Sequence, residues 1–127
     1  MILPQFPVDQ LNISEISHQI QIQQSYLSDP AIHHKGTPAS IALGILQNIA
    51  ILPSVVGALD AKVSVLLLHG EDDRICAVQG SRDVFEWLGA KDKKLVLYPG
   101  VRHELLWEDD ARRDILKWLL VHLNRDH

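Results

Sequence analysis

A run of six residues constrains the fold of this chain more than any other feature of the sequence. Residues 63–68 read VSVLLL, and this almost wholly apolar run is followed by Gly70 and the polar turn EDDR. Short apolar runs rich in valine and leucine are typical of strands in parallel sheets that are buried on both faces. We therefore expect a strand here that needs a neighbouring strand and covering helices.

Strand and helix patterns alternate after this run. A helix is expected from about residue 78 to 88, closed by Gly89, and a second strand over residues 95–98. An amphipathic helix is expected from about residue 110 to 123. Its predicted inner face consists of Ile115, Leu116, Leu119 and Leu120. The order strand, helix, strand, helix predicts an α/β fold with a right-handed parallel βαβ unit.

The chain before about residue 60 has a different, mostly helical character. One helix is expected before Pro30, capped by Ser14 or Ser17, because glutamine is common here and is a good helix former. The alternation of Ile20 and Ile22 would also fit a short strand. Of the two interpretations we favour the helix.

A second helix is expected between residues 37 and 53. Thr37 is the predicted N-cap, Pro38 the first helical residue, and Pro53 the residue that ends the helix. Apolar residues surround this helix almost completely, so we expect it to be covered on more than one side. The apolar stretch over residues 41–58 is too short and too interrupted to span a bilayer, although it could lie against lipid.

Composition narrows the choice of function. Of the 127 residues, 46% are hydrophobic and 22% are charged, which is typical of a soluble globular protein. The net charge of −4 gives no electrostatic reason to expect binding to nucleic acid. The single cysteine, Cys76, excludes an internal disulfide, so we expect a reducing compartment and a cytoplasmic location.

Polar residues follow each predicted strand. Asp72 and Asp73 come after the first strand, and His103 follows the second. Functional residues of open parallel sheets lie in the loops at the carboxyl ends of the strands. An aspartate carboxylate and the His103 imidazole are therefore expected to face each other. A carboxylate orients an imidazole, and the imidazole then moves the proton of a nucleophile, as nucleophilic hydrolases require. The alternatives are an aspartate that shapes a turn and a histidine that is only a polar loop residue.

Two stretches of the sequence resemble one family of enzymes. Residues 66–108 contain the pattern GEDDR…LYPG…H and look like the region around the last two core strands of monoacylglycerol lipases and related lysophospholipases. Residues 26–46, YLSDPAIHHKGTPASIALGIL, resemble the helical cap of the same family. The resemblance implies the C-terminal portion of an α/β-hydrolase fold with its last two parallel strands. It divides the chain into a helical cap segment, residues 1–60, and a βαβα part of the core, residues 61–127.

Only a few functional residues of this family have a counterpart in this sequence. Asp73, directly before Arg74, matches the triad acid and His103 matches the triad histidine, whereas Asp72 falls at a variable loop position. Cys76 stands where animal members also have a cysteine, and we interpret it as a small buried hydrophobic residue. The resemblance also implies that the cap covers an acyl-chain pocket. The residues predicted to line this pocket are Ile32, Ile41, Ile45 and Ile49.

The nucleophile of the family is missing from the sequence. It lies in a Gly-x-Ser-x-Gly motif, and none occurs in these 127 residues. The segment that forms the oxyanion hole is absent too, because His69 and Gly70 follow the wrong strand to serve as its His-Gly motif. A His–Asp pair without nucleophile or oxyanion donors has nothing to activate, so we expect the chain by itself to be inactive.

Three functions remain open at this point. The leading one is the C-terminal fragment of a serine ester hydrolase that acts on lipid-like esters such as monoacylglycerol or lysophospholipid. The second is a non-catalytic truncated protein or a subunit that depends on a partner, because two strands make a poor sheet. We expect such a chain to aggregate, to form a domain-swapped oligomer, or to pair with a chain that supplies the missing half. The third is a related α/β-hydrolase with a different nucleophile, such as aspartate.

Neither a cofactor nor a metal is expected. His33 and His34 are adjacent, so they point apart on a helix or strand, and they have no cysteine or acidic partner at ligand spacing. The expected partners are a lipid ester and, through peripheral contact of the cap, a membrane. Nucleic acid is not expected to bind.

Overall fold

The computed structural model describes residues 9–32 and 34–124. Within these ranges the chain forms, in order, α1 (Ile20–Ser28), α2 (Ala39–Gly57), β1 (Ser64–Gly70), α3 (Val78–Trp87), β2 (Asp92–Tyr98) and α4 (Asp109–Leu123). Short 3-10 turns, Ile13–Glu15 and Leu105–Trp107, precede α1 and α4. The predicted order of helices and strands is confirmed.

The strands β1 and β2 form a parallel pair. Ser64 lies opposite Asp92 at one end of the pair, and Gly70 lies opposite Tyr98 at the other. α3 connects the two strands, so the predicted strand–helix–strand unit is present. Because the strands run in the same direction, the loops after Gly70 and Tyr98 leave the same edge of the sheet.

The strand β1 is less buried than the sequence predicts. Its residues from Ser64 to His69 are half-buried, and only Gly70 is fully buried. Within the described ranges β2 is its one partner, so its other edge and part of both faces stay accessible. The prediction of a strand covered on both faces is therefore wrong for this chain. Other buried residues lie mainly at loops and helix ends: Ile16, Ser17, Leu88, Ala90, Tyr98 and Ala111.

The first predicted helix is confirmed, and the alternative of a strand at Ile20 and Ile22 is wrong. α1 begins at Ile20 and has Gln19 as its N-cap. The Ser17 hydroxyl accepts a hydrogen bond from the N–H of Gln19 at 3.1 Å. Ser17 therefore stabilises the turn before the helix instead of capping it, and Ser14 lies in the turn before that.

The helix α2 differs from its predicted boundaries at both ends. Pro38 is its N-cap, so Thr37 lies outside the helix. The helix continues through Pro53, although a proline removes one helical hydrogen bond. At its C-terminal end, the Val56 carbonyl accepts a hydrogen bond from the N–H of Gly89 at 3.1 Å, which joins the end of α2 to the end of α3.

Gly89 does not close α3 in the way that the sequence predicts. A glycine that ends a helix commonly takes a left-handed conformation, but within the described ranges only Gly36 and Gly100 have positive φ angles. Gly89 instead allows close packing, since a Cβ atom here would lie 2.4 Å from the carbonyl oxygen of Gly57. The end of α3 is thereby held against the end of α2.

The helix α4 turns a different face to the sheet from the predicted one. Leu116 and Leu120, which the sequence places on the inner face, are 61% and 62% exposed, and Leu119 is 40% exposed. The Tyr98 hydroxyl donates a hydrogen bond to Asp114 at 2.9 Å, which holds the helix in this rotation. The more buried side chains of the helix are Ala111, Ile115, Trp118 and His122.

Candidate active site

The loops after β1 and β2 are joined by backbone hydrogen bonds. The N–H of Glu71 donates to the Tyr98 carbonyl at 2.9 Å, and the N–H of Asp72 donates to the Val101 carbonyl at 3.0 Å. Gly70 allows this approach, because a Cβ atom there would lie 2.3 Å from the Val101 carbonyl oxygen. The side chains carried by the two loops are therefore held close together.

Asp73 and His103 meet at this edge of the sheet. His103 Nδ1 lies 2.8 Å from Asp73 Oδ2, and the Asp73 side chain is only 4% exposed. The other carboxylate oxygen, Oδ1, accepts hydrogen bonds from the N–H groups of Ile75 at 2.8 Å and Cys76 at 2.9 Å. Asp73 thus shapes its own loop and contacts the imidazole at the same time, so the two interpretations of this residue are compatible.

The pKa of Asp73 lies below its ordinary value. Burial by itself would raise this pKa, but the N–H of Cys76, the side chain of His103 and the N–H of Ile75 stabilise the carboxylate by more. Asp73 is therefore ionised at neutral pH and favours the His103 tautomer that carries its proton on Nδ1. The neighbouring Asp72 is exposed, as expected of a loop residue.

One nitrogen of the His103 imidazole faces Asp73, and the other faces away from the described residues. Its second nitrogen, Nε2, has no hydrogen-bond partner among the described residues. The side chain is 37% exposed and lies at the rim of an apolar groove of about 670 Å³ between β1 and α4, lined by Leu66, Leu68 and Trp118 among others. Nε2 is therefore placed to exchange a proton with a group supplied from beyond these residues.

His69 is a member of the site that sequence reasoning missed. Its Nε2 lies 2.9 Å from the Cys76 carbonyl oxygen and 3.4 Å from Asp73 Oδ2, and its Nδ1 lies 2.7 Å from the Ser81 hydroxyl. A carbonyl oxygen can only accept, so Nε2 carries the proton and Nδ1 accepts from Ser81. The imidazole thereby ties the Asp73 loop to α3. The one signal in the sequence was a polar side chain within an otherwise apolar strand.

Cys76 is exposed, so its interpretation as a buried hydrophobic residue is wrong. It lies in the Asp73 loop, directly before Ala77, which is the N-cap of α3. Partial desolvation and the charge of Asp73 raise the pKa of the Cys76 thiol. The thiol is therefore protonated at neutral pH.

A second cluster of serine, aspartate and histidine lies at the opposite end of the sheet and has a structural role. Asp92 Oδ2 accepts a hydrogen bond from the Ser64 hydroxyl at 2.9 Å and lies 2.8 Å from His122 Nε2. The carboxylate stands between the other two groups, whereas a triad requires the imidazole in the middle. His122 also stacks on Trp118, with ring centroids 4.0 Å apart. The cluster fastens α4 to the start of the sheet.

Three of the four residues predicted to line an acyl-chain pocket share one face of α2. Ile41, Ile45 and Ile49 are 52–55% exposed and line a shallow apolar depression of about 500 Å³. Ile32 lies in the loop after α1, outside this depression. Within the described residues α2 is not covered on several sides, so that expectation is wrong. By length and composition this continuous helix could cross a membrane, so the expectation that the stretch is too short and too interrupted to do so is wrong. Core helices of soluble proteins share this property.

Comparison with known proteins shows the family to which the chain belongs. A family model described as "Serine aminopeptidase, S33" matches residues 1–110. The monoacylglycerol lipase of Mycolicibacterium smegmatis is 32% identical over 123 residues, which are 94% of this chain and 43% of that lipase. The human monoglyceride lipase is 28% identical over 105 residues, which are 83% of this chain and 34% of that enzyme.

Solved structures show the same likeness. The monoacylglycerol lipase of Paleococcus ferrophilus superposes with a TM-score of 0.79 at 28% identity, covering 88% of this chain and 44% of the lipase. A soluble variant of the Saccharomyces cerevisiae monoglyceride lipase superposes with a TM-score of 0.73 at 22% identity, covering 96% of this chain and 44% of that chain. The chain thus spans less than half the length of the relatives that it matches.

Proposed function

The chain belongs to the serine aminopeptidase, monoacylglycerol lipase-like family of α/β-hydrolases, and we propose that it contributes the acid and base of an ester hydrolase. The 2.8 Å contact between His103 Nδ1 and Asp73 Oδ2 carries this proposal. It lies at the carboxyl ends of two parallel strands, where open α/β sheets hold their working residues. Since the N–H groups of Ile75 and Cys76 also hold the carboxylate, the imidazole meets a fixed partner.

In the proposed reaction His103 acts first as general base and then as general acid. Its Nε2 takes the proton of a serine hydroxyl while the serine oxygen attacks the ester carbonyl, and this proton then goes to the departing alcohol. Asp73 holds the proton on Nδ1 and stabilises the imidazolium that forms. The serine and the oxyanion donors come from a portion of the fold that this sequence does not contain. We therefore propose that the chain alone does not hydrolyse esters.

The proposed substrate is a lipid ester with one acyl chain, such as monoacylglycerol or lysophospholipid. The relatives from M. smegmatis and human are named as lipases of monoacylglycerols, and this chain shares 32% and 28% identity with them. The exposed isoleucines of α2 offer an apolar surface of the kind that an acyl chain requires. The residues proposed to contact the acyl chain are Ile32, Ile41, Ile45 and Ile49.

A second candidate function is that of a subunit whose missing half comes from another polypeptide. In the described ranges β1 is paired only with β2, so one edge of an apolar parallel strand is open. The apolar groove beside α4 adjoins this strand, and Leu106 and Leu119 at its margin are 63% and 40% exposed. The relatives have more than half of their length outside the matched region, which is enough chain to cover this edge.

A chimera tests the proposed function. In it, this chain replaces the aligned segment of the M. smegmatis monoacylglycerol lipase. The rest of that lipase is expected to supply the serine and the oxyanion donors. We expect the chimera to release fatty acid from a monoacylglycerol, and this chain alone to give no turnover above the uncatalysed rate. The lipase without its aligned segment is the matched control and is expected to be inactive. A chimera that melts cooperatively but releases no fatty acid would contradict the proposal.

This chain and the lipase without its aligned segment, supplied as two separate polypeptides, test the second candidate function. We expect the chain alone to elute on size exclusion as oligomer or aggregate, and to form a heterodimer with the truncated lipase. A clean monomer with a sharp, cooperative melt would rule out dependence on a partner.

The remaining alternative is a related hydrolase with an aspartate nucleophile, and sequencing the DNA upstream of Met1 decides it. A Gly-x-Ser-x-Gly motif encoded there would support the serine mechanism.

We also propose that the protein is cytoplasmic and that it touches a membrane through the apolar face of α2. Ile45 lies in the middle of the three isoleucines on this face, so Ile45→Lys is expected to lower binding to phosphatidylcholine vesicles about tenfold in a co-sedimentation assay. Gln47→Lys adds the same charge at an exposed polar position of α2 and is the matched control. Equal binding by the two variants would exclude this face as the membrane contact.

A further inference from the structure

Three side chains with metal-binding atoms converge at the edge of the sheet. The ligand atoms of Asp73, Cys76 and His103 all lie within 4.8 Å of one another. Asp73 and Cys76 come from the loop after β1, whereas His103 comes from the loop after β2. No metal site is expected from the sequence, whereas in the structure the loops that follow the paired strands bring these three residues together. His33, which with His34 forms the adjacent pair considered as metal ligands in the sequence, lies outside the described residues.

The three donors are a carboxylate oxygen, a thiol sulfur and an imidazole nitrogen, which is a ligand set that zinc prefers. We propose that Asp73, Cys76 and His103 bind one thiophilic divalent cation of the zinc type. Cys76 is exposed and the His103 side chain is 37% exposed, so the cation would keep an open position for water. His69 is not a fourth ligand, because its Nε2 proton is donated to the Cys76 carbonyl.

Small adjustments bring the donors to coordination distance. Donor atoms around a tetrahedral zinc ion lie about 3.3 to 3.6 Å apart, given metal–ligand bonds of about 2.0 to 2.3 Å. His103 Nδ1 and Asp73 Oδ2 are 2.8 Å apart and need to separate slightly. The Cys76 sulfur lies within 4.8 Å of the other two donors, and rotation about its side-chain torsion changes these distances without moving the backbone. The Asp73 loop itself stays fixed by the bonds from Ile75 and Cys76.

Metal binding and the Asp73–His103 contact exclude each other. The cation takes the place of the proton between Asp73 Oδ2 and His103 Nδ1, this proton moves to Nε2, and the thiol of Cys76 releases its proton to solvent. His103 can then no longer accept a proton from a nucleophile at Nε2. This inference rests on the same pair as the proposed function and adds to it a metal that switches the pair off.

Cobalt(II) titration tests the site directly, carried out on the soluble oligomer of the chain after circular dichroism has verified its helix content. Because Cys76 is the single cysteine, a thiolate-to-cobalt charge-transfer band in the near ultraviolet can come from no other residue. We expect one equivalent of cobalt to produce this band, zinc to abolish it by displacement, and Cys76→Ser to lack it. His103→Gln and Asp73→Asn are expected to weaken cobalt binding more than tenfold. His18→Gln, at an exposed position outside the cluster, is expected to bind as the unaltered chain does.

A second measurement keeps the result independent of differences in folding. Zinc is expected to slow alkylation of Cys76 by iodoacetamide in the unaltered chain and not in His103→Gln, with circular dichroism confirming equal helix content. Absence of the band, or equal protection in both proteins, would overturn the metal site. If the unaltered chain gives the cobalt band but the chimera is inactive, the result counts against the proposed function alone. If the chimera is active but the chain gives no cobalt band, the result counts against the metal site alone.

Discussion

Replacement of His103 by alanine in the lipase chimera is expected to lower kcat for a monoacylglycerol by about 10⁶-fold, and Asp73→Asn by about 10⁴-fold. The first change removes the group that carries the proton. The second keeps the shape of the loop but leaves the imidazole in the wrong tautomer, since an amide cannot hold the Nδ1 proton as a carboxylate does. KM is expected to change little in either variant, because neither residue is proposed to bind the acyl chain.

Asp72→Asn is the matched control for this experiment. Asp72 stands next to Asp73 in the same turn, is exposed, and contacts the second loop through its backbone N–H. Its side chain has no proposed role, so we expect kcat within about twofold of the unaltered chimera, less than 0.5 kcal/mol in activation free energy. Equal losses in the two asparagine variants would show that the turn as a whole matters and that Asp73 is not the triad acid.

Replacement of Gly70 by alanine is expected to lower the free energy of unfolding of the chimera by about 3 kcal/mol. A Cβ atom at this position would lie 2.3 Å from the Val101 carbonyl oxygen and 2.4 Å from the Arg102 carbonyl oxygen. Both obstacles are backbone atoms, so no side-chain rotation relieves the clash. The loop that must move carries His103, and we therefore expect kcat to fall as well. Urea denaturation, followed by circular dichroism, measures the change in stability.

Gly80→Ala provides the control within the same chain. Gly80 lies inside α3, and a Cβ atom there would meet nothing within 4 Å. Alanine in a helix interior is more stable than glycine by about 1 kcal/mol, so this variant is expected to be more stable than the unaltered chimera. If Gly70→Ala were as stable as Gly80→Ala, the close approach of the two loops would not exist in solution.

The order of secondary structure could be predicted from the sequence because it depends on local patterns. The apolar run at residues 63–68 and the break at Pro99 and Gly100 mark two strands whatever surrounds them. The continuation of α2 through Pro53 could not be predicted, since a proline inside a helical pattern commonly ends the helix. The rotation of α4 could not be predicted either, since it brings Asp114 to the Tyr98 hydroxyl, a contact between two elements that a helical pattern does not encode.

The candidate site shows the same division. Spacing after the two strands was enough to place Asp73 and His103 at one edge, because parallel strands bring their carboxyl ends together. The contacts of His69 with Ser81 and with the Cys76 carbonyl, and the exposure of Cys76, depend on how the loop after β1 meets α3, which no local pattern encodes. The catalytic roles of Asp73 and His103 remain predictions that the chimera decides.

The contact between Asp73 and His103 spans only 30 residues of sequence. Short loops close at a low entropic cost and early in folding, so the acid and the base can assemble before any distant segment arrives. The proposed function therefore divides into separable modules, with a proton relay in this chain and a nucleophile elsewhere. Joined to one bait protein, with the serine-bearing module joined to another, this chain becomes half of a split reporter. For halves that do not pair by themselves, we expect light from a fluorogenic ester only when the two baits have met.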